Sequence, residues 1–479
     1  MTKKKKKTAS NKLTANDLLK IGFPAGKPLG TALNIVHTYF TELGKNHQIE
    51  LVQDVLTAPD LYQLHATLGS LAQAILAHKE TAPVALRNEQ QKYAIYGAEG
   101  IEEGALKQMD IAMRLPVTRA GALMPDAHQG YGLPIGGVLA VENAVIPYGV
   151  GVDIGCRMSM SIFDIHTGYL DKHREELKKM LQDNTRFGFS SFQKPMDHPV
   201  MDRMEFHEIP IVHELKDRAY SQLGTSGGGN HFVEFGVVDI QDEQNEFGLP
   251  LGSYLSVLSH SGSRGLGANI AGYYTKVAMD SCRLPQEAKH LAWLDLDSDA
   301  GQEYWMAMNL AGDYASACHH QIHHRIASAL GETPLATIEN HHNFAWKEKD
   351  AEGREYIVHR KGATPAGKGV LGIIPGSMAT PGFIVRGKGE AASINSASHG
   401  AGRVMSRTQA KKTLTKPQVQ KFIQKAGIEV IGSDLDEAPM VYKDIHQVMA
   451  AQQDLVEVVG TFHPRIVRMN GDEKYMEVD

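Results

Sequence analysis

Cys156 lies in the stretch Gly149-Val-Gly-Val-Asp153-Ile-Gly-Cys156-Arg157, which sets a carboxylate and a thiol three residues apart among glycines. Four further stretches offer ligand-type side chains in polar, glycine-rich settings: Asn230-His231, His260-Ser-Gly-Ser-Arg264, His341-His342-Asn343 and His399-Gly-Ala-Gly-Arg403. A thiolate can bridge two borderline metal ions while carboxylate and imidazole groups complete their shells. A catalytic metal centre is the chemistry these residue types would make together. Glycine loops that happen to carry histidines are the structural alternative, and these local patterns leave both open.

A second histidine group is denser. Cys318-His-His-Gln-Ile-His323-His324 places His319/His323 and His320/His324 at helical i,i+4 spacing. A regulatory metal site is one reading. No cysteine-pair framework or His-Glu-x-x-His pattern accompanies it, so an ordinary histidine-rich helix is the preferred one. Gly227-Gly-Gly229 is no dinucleotide fingerprint, and Gly362-Ala-Thr-Pro-Ala-Gly-Lys368 is followed by Gly369 where a Walker loop needs Ser or Thr.

The elements that must position these residues form a mixed pattern. After about Glu99, short β-like runs such as Leu133–Ala140 and His231–Phe235 alternate with glycine-rich turns. Gln302 to Leu330 reads as a long helix, and a shorter one starts at Lys416-Pro417 after Thr415. Arg465 to Met469 reads as a last strand. An α+β class is expected, with strand order left open. Ahead of this, Asn16 to Leu19 can start a helix, and Leu61, Leu64, Leu68, Leu71, Ile75 and Leu76 recur through Thr57–His78. That recurrence argues for a helical N-terminal layer.

The chain has 479 residues, 42% of them hydrophobic and 22% charged, as expected of a globular protein with room for a deep site. Lys3 through Lys7 are not followed by the apolar run of a secretory signal, no membrane-spanning run is evident, and three cysteines are few. A cytoplasmic, reducing location is expected. The net charge of -6 argues against bulk attraction to nucleic acid. Between Arg354 and Lys416, however, eleven Lys or Arg residues face two acids, a local excess of +9. This stretch is a candidate polyphosphate surface, with a merely solvated cationic face as the alternative.

The residues resemble, in order, the motifs of the RtcB family of RNA-repair ligases. The matching segments are Met124-Pro-Asp-Ala-His-Gln-Gly-Tyr-Gly132, Gly149 to Arg157, Leu223 to Glu234, His260 to Gly267, His342-Asn343, Ile374-Pro-Gly-Ser377-Met378, Ser398 to Arg403 and Asp436 to Asp444. They span roughly Gly100 to Gly471. The resemblance implies an RtcB-like mixed α/β catalytic fold over residues 99–479; ahead of it the composition reads as a flexible basic tail (1–12) and the apolar recurrence as a helical N-terminal segment (13–98), either a separate module or a cover for the main core. It implies a GTP-dependent ligase that joins RNA 3′-phosphate or 2′,3′-cyclic-phosphate ends to 5′-hydroxyl ends through a histidine-GMP intermediate.

Carried over residue by residue, the resemblance puts Asp153, Cys156 and His231 around one Mn2+ ion and Cys156, His260 and His342 around a second. His399 matches the covalent nucleophile. Asn230, Glu234, Asn343, Ser377, Ala401, Gly402 and Tyr442 match the GTP/GMP surroundings; turn capping is the alternative for the two asparagines. Arg264, Arg386, Lys388 and Arg403 are phosphate or RNA candidates. An archease-type activator is a possible partner, and no membrane is expected. Other readings are a related RNA-end guanylating or repair enzyme with restricted substrate or poor sealing, and an RNA-binding protein. Three departures bear on the choice: Ala379 and Gly382 after Ser377, Arg468-Met-Asn470-Gly471 in place of a near-terminal Lys-Gly, and Cys318-His319 in place of an Asn-Arg pair.

Overall fold

A computed structural model describes residues 13–24, 26–80, 83–350 and 352–471. The expected tail at residues 1–12, with Lys3 through Lys7, lies outside the described residues. The described residues form two compact units, the first running up to Val84 together with Met279–Arg283, the second comprising Ala85–Ala278 and the chain from Leu284 onward.

In the first unit, helices Ala15–Lys20, Lys27–Tyr39, Lys45–Thr57 and Gly69–Glu80 bury Leu18, Val36, Val52, Val55, Leu71 and Ile75. Each such side chain contributes about 1.5–3 kcal/mol on burial. Thr14 and Asp17 start the first helix with a capping box, Asp17 Oδ2 accepting from Thr14 N at 2.9 Å. The apolar recurrence from Thr57 to His78 is not one helix. The chain leaves the helix after Thr57, makes a tight turn over Pro59–Tyr62 and re-enters helix at Gly69. Pro59 disfavours helical geometry at Ala58, which sits at φ -131°. Leu61 and Leu64 are consequently 82% and 100% exposed, while Leu68, Leu71 and Ile75 reach the core.

The second unit is α+β. Its main sheet runs in the order Leu371–Ile374, Gly382–Gly387, Val456–Met469, Phe232–Ile240, Gly252–Ser261, Arg157–Phe163, Ala336–His341, every neighbour antiparallel; Glu429–Ile431 adds a parallel pairing to Val456–Met469. The two edge strands are joined by a side chain: Asn340 accepts from Ile373 N at 2.9 Å and donates to Ile373 O at 3.3 Å. The sheet is thus nearly closed. A second sheet pairs Thr118–His128, Ile135–Val141, Glu355–Lys361 and Asn343–Lys349, with Ala94–Ile95 at its edge.

The predicted long helix is present as Asp299–Leu330, capped by Ser298, which accepts from Gly301 N, and ended by Gly331 at φ 72°. The shorter one is Lys416–Ala426, with a Thr415/Gln418 capping box. The strand expected at Arg465–Met469 is the end of Val456–Met469. Among the described residues no helix is long and apolar enough to cross a membrane.

Candidate active site

Strand register explains how residues far apart in sequence meet. Met158 and Phe232 both pair with His260, and Arg157 pairs with His341. The positions just beyond these pairs are Cys156, His231 and His342, so four ligand-type side chains gather at one end of the main sheet. His342 N also donates to Cys156 O at 3.0 Å, carrying the pairing one step past the strand. Cys156 Sγ lies 3.3 Å from His231 Nε2 and 3.1 Å from His260 Nε2, and His260 Nε2 lies 3.2 Å from His342 Nε2. Asp153 Oδ2 is 3.0 Å from His231 Nε2. Ser263 N donates to the other Asp153 oxygen at 3.0 Å. A Cβ on Gly262 would collide with this carboxylate, so glycine is required there.

The electrostatics suit ligands in their deprotonated forms. Burial, followed by neighbouring imidazoles, pushes His260 and His342 well below the usual histidine range. Burial raises Asp153, but His231, Cys156 and the Ser263 amide outweigh it and hold the carboxyl at about 2. Nδ1 of His231 and Nδ1 of His342 are buried with no hydrogen-bond partner among the described residues. Cys156, His231 and His260 offer donor atoms all within 4.8 Å of one another.

His399 follows the short strand Ser396–Ser398, and its ring centroid is 5.0 Å from that of His342. Its Nδ1 is 2.7 Å from Asp126 Oδ2, which also accepts from His399 N at 3.1 Å. A carboxylate can only accept, so this contact places the ring proton on Nδ1 and leaves Nε2 with its lone pair. Lys443 donates to the carbonyls of Pro125 and Ala127 at 3.0 and 2.7 Å, bracing Asp126 from both sides. Gly402, at φ 73°, is where a Cβ would strike the Asp126 carbonyl. Asp126 was not singled out from sequence, although it stands in the Met124-Pro-Asp motif. Nothing local announces a partner 273 residues away.

Phe232, Glu234, Ser377, Thr380, Gly382 and Phe462 are among the residues that line a small pocket. Burial pushes the Glu234 carboxyl well above its usual range. Ser377 Oγ is 2.9 Å from Thr380 Oγ1. Tyr442 stands outside that lining; its hydroxyl bonds Glu437 and its ring lies 5.4 Å from the Arg403 guanidinium. The Ala401 side chain is buried in a core cluster with Met124 and Ala397. Asn343 donates to Asp153 O at 3.3 Å and accepts from Gly362 N at 2.8 Å, a turn-capping geometry. Asn230 accepts from His260 through its backbone carbonyl, at 3.1 Å from Nδ1.

The basic candidates divide. Arg264 is buried beside the His231 loop, its Nε donating to Thr225 Oγ1 at 3.1 Å and its Nη2 to Gly188 O. Arg403 donates to Asp436 O at 2.6 Å and sits 3.4 Å from Glu437. Arg386 and Lys388 do not meet the expectation of a phosphate surface. Arg386 is held by Asp242 at 2.8 Å, by Glu457 at 2.6 Å and by Glu246, and Lys388 donates to Gln453 O at 2.6 Å. Within the run, Arg386 is neutralised by acids from distant parts of the chain, and Arg360 and Arg403 pair with Glu348 and Glu437.

Arg468 does not reach the Glu234 pocket either. It pairs with Val233, so its side chain leaves the face opposite to Glu234. The His319/His323 pair is buried and hydrogen-bonded to serines, and His320 is an exposed partner of Glu339 at 3.2 Å. That agrees with the histidine-rich helix.

Fold and site together define a mixed α/β protein in which a buried thiol, carboxylate and imidazole group adjoins a carboxylate-held histidine. The family model described as "tRNA-splicing ligase RtcB" matches residues 108–208 and 202–470. The chain is 33% identical over 391 residues to the RNA-splicing ligase RtcB of Escherichia coli K12, covering 75% of this chain and 93% of that protein. It is 31% identical over 431 residues to the tRNA-splicing ligase RtcB of Nanoarchaeum equitans, covering 75% and 90%. It is 30% identical over 410 residues to that of Thermococcus kodakarensis, covering 71% and 85%. The chain belongs to the RtcB family.

Proposed function

We propose that this protein is a GTP-dependent RNA ligase that joins a 3′-phosphate or 2′,3′-cyclic-phosphate end to a 5′-hydroxyl end through guanylated His399. The observation that carries the reading is the His399 ring, with Nδ1 held by Asp126 at 2.7 Å, beside the Cys156 cluster. His399 Nε2 attacks the α-phosphate of GTP, forming a P–N bond as the bond to pyrophosphate breaks. Asp126 positions the ring and stabilises the positive charge that develops on it. An oxygen of the RNA 3′-phosphate then attacks the same phosphorus and releases His399, leaving an RNA-phosphate-GMP anhydride. The 5′-hydroxyl attacks the RNA phosphate and expels GMP; a cyclic end is first opened by water.

The residues present fit metal ions: a thiol, three imidazoles whose Nε2 atoms face inward, and a carboxylate held at about 2. Asp153, Cys156 and His231 would hold one ion and Cys156, His260 and His342 another, with manganese the metal implied by the resemblance. When bound, such ions supply Lewis-acid stabilisation of phosphoryl charge. Glu234 is the proposed partner of the guanine, whose N1–H and amino group can donate to its carboxyl oxygens, with Ser377 at its side. Asn230, Asn343, Gly402, the backbone of Ala401 and Tyr442 are the further nucleotide contacts the resemblance implies, and Arg264 and Arg403 neutralise phosphate charge. RNA carrying the two end types is the substrate, an archease-type protein is a candidate activator, and the cytoplasm is the proposed location.

The test uses GTP labelled at the α-phosphate, with manganese. An acid-labile, hydroxylamine-sensitive adduct should map to His399 and discharge when RNA with 3′-phosphate and 5′-hydroxyl ends is added, giving a joined product. His399→Ala should lower adduct formation by roughly 10⁴-fold or more. An adduct on another residue would overturn the nucleophile, and a discharged adduct without joined RNA would favour a guanylating enzyme that seals poorly.

A further inference from the structure

Arg186, Arg325 and Arg468 are remote in sequence, yet Arg186 lies close enough to both of the others to act on their ionisation. The guanidinium carbons of Arg186 and Arg325 lie 4.6 and 3.9 Å from the centroid of the Phe192 ring, and that of Arg468 lies 5.6 Å from Phe187. Arg186 uses Nη1 on the carbonyls of Gln182, Asp183 and Thr185, and Arg468 uses Nη1 on those of Leu181 and Thr185. These carbonyls end the helix Arg174–Asn184, so each arginine caps it with one nitrogen. Arg325 keeps Nε and Nη2 buried without a hydrogen-bond partner.

Among the described residues no carboxylate forms an ion pair with any of the three, although the charge of Asp183 reaches Arg468. Burial and then Arg186 hold Arg468 down at about 10, the mark of cations gathered without a counterion. The contrast with Arg386, held by three acids, is sharp.

The cluster adjoins the catalytic end of the sheet. Ser226 N donates to Arg186 O at 2.7 Å and Gly188 N to Gly227 O at 3.3 Å, and a Cβ on Gly227 would collide with His231. Arg468 pairs with Val233, two residues beyond His231. Phe189, in the same loop, is 50% exposed. An exposed aromatic ring three residues from Arg186, in the loop whose Phe187 and Phe192 rings stack on the guanidinium groups, offers a base and its phosphate a joint site, the combination that single-stranded nucleic acid requires and a free phosphate or an acidic peptide does not.

We propose that Arg186, Arg325 and Arg468, with the exposed ring of Phe189, form a subsite for the backbone and one stacked base of a single RNA strand leading to the Cys156 cluster. This rests on the ligase reading above. The phosphate supplies the missing counterion, and the loop that carries Phe189 is tied directly to the loop that carries His231.

Binding of a short fluorescent single-stranded RNA ending in 3′-phosphate, followed by anisotropy over a range of salt, tests it. Arg325→Gln and Phe189→Ala should each raise Kd by ~5-fold or more. Arg186→Gln combined with Arg325→Gln should lower the slope of log affinity against log salt by about 1.4. The labelled adduct on His399, which forms without RNA, reports that each variant is folded. Phe189→Ala leaves the helix caps in place, so it decides the matter if the arginine variants unfold. Wild-type protein that binds the RNA while all variants bind it equally, with unchanged salt slope, would overturn the subsite alone. Wild-type protein that forms the adduct but does not bind the RNA would overturn the RNA reading and the subsite with it.

Discussion

Two buried histidine groups lie on neighbouring layers of the same unit and differ in one respect. In the long helix, His319 is bonded through Nδ1 to Ser259 Oγ at 2.6 Å and through Nε2 to Ser261 O at 3.1 Å; His323 meets Ser259 Oγ and Ser161 Oγ, both at 2.8 Å. Every ring nitrogen of that pair has an oxygen partner. At the sheet end, Nε2 of His260 faces Nε2 of His342 and a thiol, and Nδ1 of His231 and Nδ1 of His342 have no partner. Leaving a buried polar group unpaired costs about 1–3 kcal/mol. Density of histidines in sequence therefore does not tell which group holds unsatisfied, mutually facing donor atoms.

The comparison breaks most visibly at Cys156. Cys156→Ala should strip metal from manganese-loaded protein and lower RNA joining by ~100-fold or more, read by elemental analysis and ligation rate. Metal retained in that variant but lost on changing His319 and His323 would reverse the roles of the two groups.

Asp126→Asn comes next. An amide can donate to Nδ1 and favour the wrong ring tautomer, so adduct formation on His399 should slow by about 10²- to 10⁴-fold while metal content holds. Unchanged labelling would mean that His399 needs no held tautomer.

The helix pair should answer in stability instead. His319→Ala or His323→Ala should cost about 1–3 kcal/mol in denaturant unfolding, with metal content unchanged. Burial, the largest cause for each, holds His319 at about 4 and His323 at about 3, against 6.5 unfolded. Between those values and 6.5 the unfolded chain binds more protons than the folded one. Stability should accordingly fall as pH drops from 6.5 toward 4, by roughly 1.4 kcal/mol per pH unit for each histidine. A His319→Gln, His323→Gln double variant should flatten that slope in melting curves. An equally steep slope in the variant would place the acid sensitivity elsewhere.

The sequence by itself determined which residue types were available and the family to which they belong. Cys156, His231, His260, His342 and His399 stand in short motifs whose order survives in one dimension, and local caps such as Ser298, Thr415 and Gly331 set helix ends within a few residues. Tertiary structure decided everything that depends on partners far along the chain. Pro59 divided the Thr57–His78 recurrence by local geometry, but only the packed fold shows Leu64 in solvent. Strand register carried four ligand-type side chains to one sheet end, Asp126 reached His399 across 273 residues, and Arg468 was turned away from the Glu234 pocket by its pairing with Val233. In the basic run from Arg354 to Lys416, Arg360 pairs with Glu348, Arg386 with Asp242, Glu246 and Glu457, and Arg403 with Glu437, while arginines from three separate segments gathered with no such acid. Charge and coordination act through distances in space, and a local reading of sequence contains only distances along the chain.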